Sequence, residues 1–148
     1  RRQRQMCIRD RTYTGVEGLS VSFGKGEDES TINVSADQTI MKASYAYGPI
    51  TLAVSNNDYN HTTSTSDQEV KSYSLAYTVS DAISVSYGVE SIEKSGAASD
   101  IDVEGVTASY TSGGMTVGLT SIEAENVDHT TGANNDNEFW KVSLSFAF

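Results

Sequence analysis

Residues 72–89 read Ser-Tyr-Ser-Leu-Ala-Tyr-Thr-Val-Ser-Asp-Ala-Ile-Ser-Val-Ser-Tyr-Gly-Val. Tyr73, Leu75, Tyr77 and Val79 alternate with small or hydroxylated residues. The pattern breaks at Ser80-Asp81 and resumes with Ile83, Val85, Tyr87 and Val89. An apolar period of two places one side-chain set on one face of an extended strand, whereas a helix needs a period near 3.6. Two such runs joined by so short a break form a hairpin.

The same alternation extends both ways along the chain. Upstream it runs through Leu19, Val21, Phe23, then Met41, Ala43, Tyr45, Tyr47, then Ile50, Leu52, Val54. Downstream it runs through Val106, Ala108, Tyr110, then Met115, Val117, Leu119, then Trp140, Val142, Leu144, Phe146, Phe148. Ser, Thr, Gly and Ala fill most of the intervening positions. This predicts about eight antiparallel strands with one apolar and one hydroxylated face. Tight turns are expected at 48–49, 80–81 and 111–114, recurring about every 32 residues. The other connections, 24–37, 56–68, 91–102 and 122–137, are long and acidic or rich in Asn and Thr, and are expected to be loops. Short turns at one end and long loops at the other are the plan of an outer-membrane barrel, whose backbone polar groups must all pair inside the sheet. The expected fold is therefore all-β: a transmembrane up-and-down β-barrel, of which this chain supplies about eight strands. Tyr47, Tyr77 and Tyr110 fall toward the short-turn end, and Phe23, Tyr73, Tyr87 and Trp140 toward the loop end, as two interfacial girdles would.

Residues 1–11 stand apart. Arg1 to Asp10 back-translate onto CGT CGG CAG CGT CAG ATG TGT ATA AGA GAC, which resembles a transposase-type sequencing adapter read in frame, with Arg11 across the junction. The barrel segment is accordingly expected to be 12–148. Setting 1–11 aside leaves five Lys, no Arg and nineteen acids, moving the formal charge from −10 to −14. Cys7 goes with that segment, so disulfide, zinc-thiolate and thiol chemistry have no residues to use. So acidic a chain lacks the clustered cations that nucleic acid requires.

The terminal run Phe-Trp-Lys-Val-Ser-Leu-Ser-Phe-Ala-Phe (139–148) resembles the last strand of Gram-negative porins. Residues 72–77 and 113–119 are similar to such porins in style, the sixteen-stranded alphaproteobacterial ones above all. The resemblance implies passive diffusion of small hydrophilic solutes and ions through a water-filled barrel in the outer membrane. It implies homotrimers when full length, contact with outer-membrane lipid and lipopolysaccharide, and an insertion signal at Val142, Leu144, Phe146 and Phe148 read by the barrel assembly machinery. The chain would be the C-terminal half, with the constriction loop in the other half. The arginine cluster usual in a porin constriction is absent.

Lys42, Lys141, Ser74, Ser86, Thr107 and Ser143 fall on the hydroxylated parity and are the pore-lining candidates. Lys71 has the apolar parity but lies near the loop end, where its long stem can snorkel. The acids Glu27, Asp28, Glu29, Asp58, Asp67, Glu69, Asp100, Asp102, Glu104, Glu123, Glu125, Asp128 and Asp136 would form a negative rim. That rim could bridge lipopolysaccharide through divalent cations, favour cations at the pore mouth, or simply be solvated loop. No stretch has the spacing of a calcium-binding hand, and Gly24-Lys25-Gly26 lacks the phosphate-loop pattern. His61 and His129 are expected in solvated loops. No catalytic residue, metal or cofactor is expected. Two other readings stand beside the porin: a complete eight-stranded barrel acting as anchor or adhesin, and a barrel enzyme.

Overall fold

A computed structural model describes residues 9–30, 34–62, 66–132 and 135–147. They form one sheet of nine strands in strict sequence order, each antiparallel to the next. The strands are β1 (Arg9–Tyr13), β2 (Leu19–Ser30), β3 (Val34–Tyr47), β4 (Ile50–His61), β5 (Gln68–Ser80), β6 (Ile83–Lys94), β7 (Ile101–Ser112), β8 (Met115–Glu125) and β9 (Asn137–Phe146). A 3-10 turn, Val127–His129, lies between β8 and β9. Among the described residues there is no α-helix, and β1 and β9 do not pair, so the sheet is open. No described helix is long and apolar enough to cross a membrane.

Nine strands replace the expected eight. The additional one is β1, whose Arg11 and Tyr13 pair with Phe23 and Val21 along the otherwise free edge of β2. The middle turn also moves by one residue, to Asp81-Ala82, because the register slips between Thr78 and Ser80. The other two fall at Gly48-Pro49 and Gly113-Gly114. Gly113 and Gly114 both have positive φ (57° and 82°). That is the geometry of a two-residue turn whose twist matches its flanking strands.

The larger correction concerns the long connections. Much of 24–37, 56–68, 91–102 and 122–137 is strand: β2 and β3 pair as far as Ser30 and Val34, and β4 pairs with β3 as far as His61. The apolar alternation does not stop there; it changes face. On β5 the belt face carries Tyr77, Leu75 and Tyr73, then Lys71 and Glu69, while the other face carries Ala76, Ser74 and Ser72, then Val70. On β7 the belt face passes from Tyr110, Ala108 and Val106 to Glu104 and Asp102, and the other face from Ser109 and Thr107 to Val103 and Ile101. On β9 Trp140 gives way to Glu138 just as Lys141 gives way to Phe139. Ile40, Val70, Ile92 and Ile101 then share one register row on the hydroxyl side. Strand pairing is carried by backbone hydrogen bonds and survives this swap, whereas a search for one apolar parity ends at it.

The described residues form no conventional core. Among the described hydrophobic residues only Ala36 is buried. Leu75, Tyr77, Val85, Leu119, Val142 and Leu144 are all exposed on one face, from 38% for Val85 to 57% for Val142. These side chains form a continuous exposed apolar face on one side of the sheet rather than a packed interior.

The hairpins are staggered. Tyr47 pairs with Ile50 at the first turn, and Ile50 lies opposite Tyr77. The second hairpin closes two residues lower on β6, at Ile83 rather than Val85, and the third closes two lower on β7, at Ser112 rather than Tyr110. Each step is about 6.6 Å along the strands for about 9.6 Å across the sheet, an inclination of roughly 35°.

Candidate functional site

The hydroxyl face is the surface on which the pore-lining candidates meet. Lys42 shares one row with Ser22, Ser55 and Ser72, and Lys141 shares another with Thr120, Thr107 and Ser86. Ser143 pairs with Gly118, which pairs with Ser109, and Ser74 pairs with Ala53 and Gly88. All six candidates thus occupy one face.

Hydroxyls there bond across strands: Ser84 to Ser109 at 2.7 Å, Thr111 to Thr116 at 2.9 Å and Ser86 to Thr107 at 2.5 Å. Each hydroxyl both donates and accepts, so such pairs satisfy one another while leaving capacity for water. Glu90, which sequence inspection passed over, is on this face too, and accepts a hydrogen bond from Ser72 Oγ at 2.6 Å. Its parity with Ser84 and Ser86 was the available signal. Around Lys42 the small side chains leave a recess of about 390 Å³ bordered by Ser20, Ser22, Ser44, Ser55 and Ser72.

On the belt face, Val142, Leu144 and Phe146 lie along β9 beside Leu119, Val117 and Met115. Phe148 lies outside the described residues. Phe23, Tyr73 and Trp140 mark the upper end of the apolar run on their strands, and Tyr87 lies one pair below Val89. Tyr47, Tyr77 and Tyr110 lie toward the short turns.

The acids expected in loops are largely on strands, and on the belt face above the apolar run. Asp58, Glu69 and Glu93 form one row, Asp102 and Glu125 another, and Glu104, Glu123 and Glu138 a third. Glu27 lies opposite Asp37. The side chains of Asp28 and Glu29 are outside the description, and Asp67, Asp100, Asp128 and Asp136 remain in connections. Lys71 is tied into this collar by Nζ contacts of 2.7 Å to Glu93 and 3.0 Å to Glu69. The two carboxylates hold its ammonium well above its usual range, Glu93 most strongly. Lys71 in turn holds the Glu69 carboxyl below its ordinary value, against a smaller opposing effect of burial and with help from Asn56.

His61 lies on a strand rather than in a loop, whereas His129 lies in the connection between β8 and β9. His61 ends β4 on the hydroxyl side, its ring 6.5 Å from that of Tyr59. His129 sits in the 3-10 turn at φ 57°, with Nδ1 3.0 Å from the carbonyl oxygen of Ser99. Among the described residues no cluster of His, Cys, Asp or Glu could hold a metal ion. No known protein family, curated protein or solved structure matches this chain.

Proposed function

We propose that this sheet is part of the wall of an outer-membrane β-barrel that lets small hydrophilic solutes and ions diffuse through a water-filled lumen. The observation that carries the reading is the exchange of apolar and polar faces along most of the strands, β5, β7 and β9 most clearly. A sheet passing from lipid into water needs its apolar side chains outside in the first zone and inside in the second. A soluble sandwich has no reason to reverse its faces partway along strand after strand at one level. The run from Ile83 to Val89 on β6 spans roughly 20 Å of strand, comparable with the apolar band of such barrels. The stagger of roughly 35° matches the strand tilt that closure demands.

In lipid the open edges at β1 and β9 require partners, so further strands complete the barrel. A wide lumen suits this wall better than a narrow anchor barrel: among the described residues at the level of the belt, the hydroxyl face carries only Lys42, Lys141 and Glu90 as charges. That is too little to fill a small barrel with an ionic network. Outer-membrane lipid, lipopolysaccharide, the assembly machinery and two further copies of the chain in a trimer are the partners this reading brings.

Cysteine accessibility tests the assignment. Single cysteines at Leu75 and Val85 should resist a water-soluble maleimide in intact outer membranes, and cysteines at Ser74 and Ser86 should react. The reverse pattern, or recovery of the protein in the soluble fraction, would replace the barrel with a soluble sandwich. Phe148→Ser should lower the amount reaching the outer membrane; unchanged amounts would remove the terminal insertion signal.

A further inference from the structure

The chain is strongly acidic, with a formal charge of −10, yet its charge is divided unevenly between the two faces of the sheet. Every carboxylate of β7, β8 and β9 is on the belt face, including Glu104, Glu123 and Glu138 in their single row. Among strand carboxylates whose side chains are described, Glu90 alone is on the hydroxyl face. Lys42, Lys94 and Lys141 are on that face as well. Among the side chains that are described, the face that lines the lumen in the reading above thus carries three lysines against one glutamate. The other described strand carboxylates lie on the opposite face.

Lys42 is the group that this leaves free to act. Among the described residues neither it nor Lys141 has an ion-pair partner. Glu90 is three strands away in the same row, about 14 Å along the sheet. That exceeds the screening length of about 8 Å at physiological salt, so Glu90 does not cancel the ammonium. Ser22 and Ser55 flank Lys42 directly in register, and the recess of about 390 Å³ beside it is bordered by further serine hydroxyls. An ammonium surrounded by rotatable hydroxyl donors suits a compact oxyanion, whose several oxygens each accept a hydrogen bond. We propose that the Lys42 recess is a residence site for small oxyanions on an anion-preferring lumen wall. The proposal rests on the channel reading and adds a sign and a place to it.

The test uses the protein as the cell makes it, purified folded and placed in planar bilayers, with reversal potentials read in a potassium chloride gradient and inorganic phosphate as the probe. Native protein should prefer chloride over potassium, and added phosphate should reduce the chloride current. Lys42→Gln should lower the preference by between about twofold and fivefold, the range for one ammonium a few ångströms from a permeating ion in water. It should also abolish the phosphate effect. Glu123→Gln, on the belt face, should change neither. Lys42 is exposed, so glutamine leaves the fold intact. A cation preference in native protein overturns the proposal but leaves the channel standing. So does a Lys42→Gln variant in which either effect persists, or a Glu123→Gln change as large as that of Lys42→Gln. Absence of any conductance from folded protein overturns the channel reading itself, and this inference with it.

Discussion

Glu69 and Glu93 stand directly opposite each other across β5 and β6. Two carboxylates in one cross-strand pair repel, and Lys71, two residues along β5, reaches both. The rim above the apolar belt thus depends on a single ammonium to hold two like charges together. The cluster is partly exposed, so its worth is that of a screened network rather than of a buried ion pair.

Removing that ammonium should be visible at Glu69. Its folded pKa is depressed below 4.5, so its contribution to stability is present above that value and is lost as pH falls through the lowered one. Lys71 is shifted the opposite way, so its contribution is complete below 10.5 and persists until pH rises through its raised value. At neutral pH both contributions are intact. Lys71→Met should raise the Glu69 pKa, so that acid loosens the rim at a higher pH than in the native protein. Carboxyl carbon-13 titration of Glu69 in detergent micelles checks this. A Glu69 pKa unmoved by the substitution would mean that Lys71 is not what depresses it.

The two faces of β5 should answer oppositely to the same charge. Leu75 lies mid-belt and is 44% exposed, and Ser74 is its neighbour on the hydroxyl face. Leu75→Arg should destabilise the membrane-inserted protein by about 2–4 kcal/mol, the cost of arginine at the lipid midplane. Ser74→Arg, facing water, should cost much less. Urea unfolding from lipid vesicles compares them, and equal costs would contradict the assignment of faces.

At the last short turn, φ is positive at both Gly113 and Gly114. An added Cβ at Gly113 meets nothing within 4 Å, whereas one at Gly114 meets the Ala147 carbonyl oxygen at 3.3 Å. Gly113→Ala should therefore cost only the left-handed backbone penalty, about 1–2 kcal/mol. Gly114→Ala should cost more, because the neighbouring carbonyl must also give way. The same unfolding assay ranks them; a cheaper Gly114→Ala would show that the turn relaxes into another type.

How far the sequence could be read divides at the face exchange. Tyr73, Leu75 and Tyr77 share a parity that marks strand and face together, so the belt and the side assignment of Lys42, Lys141, Ser74, Ser86, Thr107 and Ser143 were legible. Val70 and Ile92 have the opposite parity from the belt residues of their own strands, and acids surround them. Stretches that hold extended hairpins therefore read as loops, and Glu69, Glu104 and Glu123 as loop charges. Glu90 shares the parity of Ser84 and Ser86, so its face was legible too, but it lies past the last belt residue of β6, Val89, where the stretch read as the start of a loop. The slip between Thr78 and Ser80 adds one residue to a strand without altering composition, so the turn was misplaced by one. The stagger emerges only when neighbouring strands are set in register.

Trp140 is the chain's single tryptophan, and it sits where the exchange occurs on β9. Glu138 is the next belt-face residue above it and Val142 the next below. It is 72% exposed, so its emission reports the medium outside the sheet rather than a protein interior. If the belt is held in lipid, Trp140 lies at the upper interface, where tryptophan is commonly found. In vesicles its fluorescence should then be quenched more by bromines near the headgroups than by bromines at the bilayer centre. Moving the indole should move the depth: in a Trp140→Phe background, Val142→Trp should be quenched more deeply. Ile122→Trp, placed on the hydroxyl face above the belt, should resist lipid quenchers while remaining open to iodide in water. Ile122 and Trp140 are only one residue out of phase, since Ser121 is the register partner of Trp140, so the contrast tests the face exchange rather than simple height. Equal lipid quenching of both would show that apolar residues face lipid on both sides of the sheet, and the argument for a membrane boundary along each strand would fall.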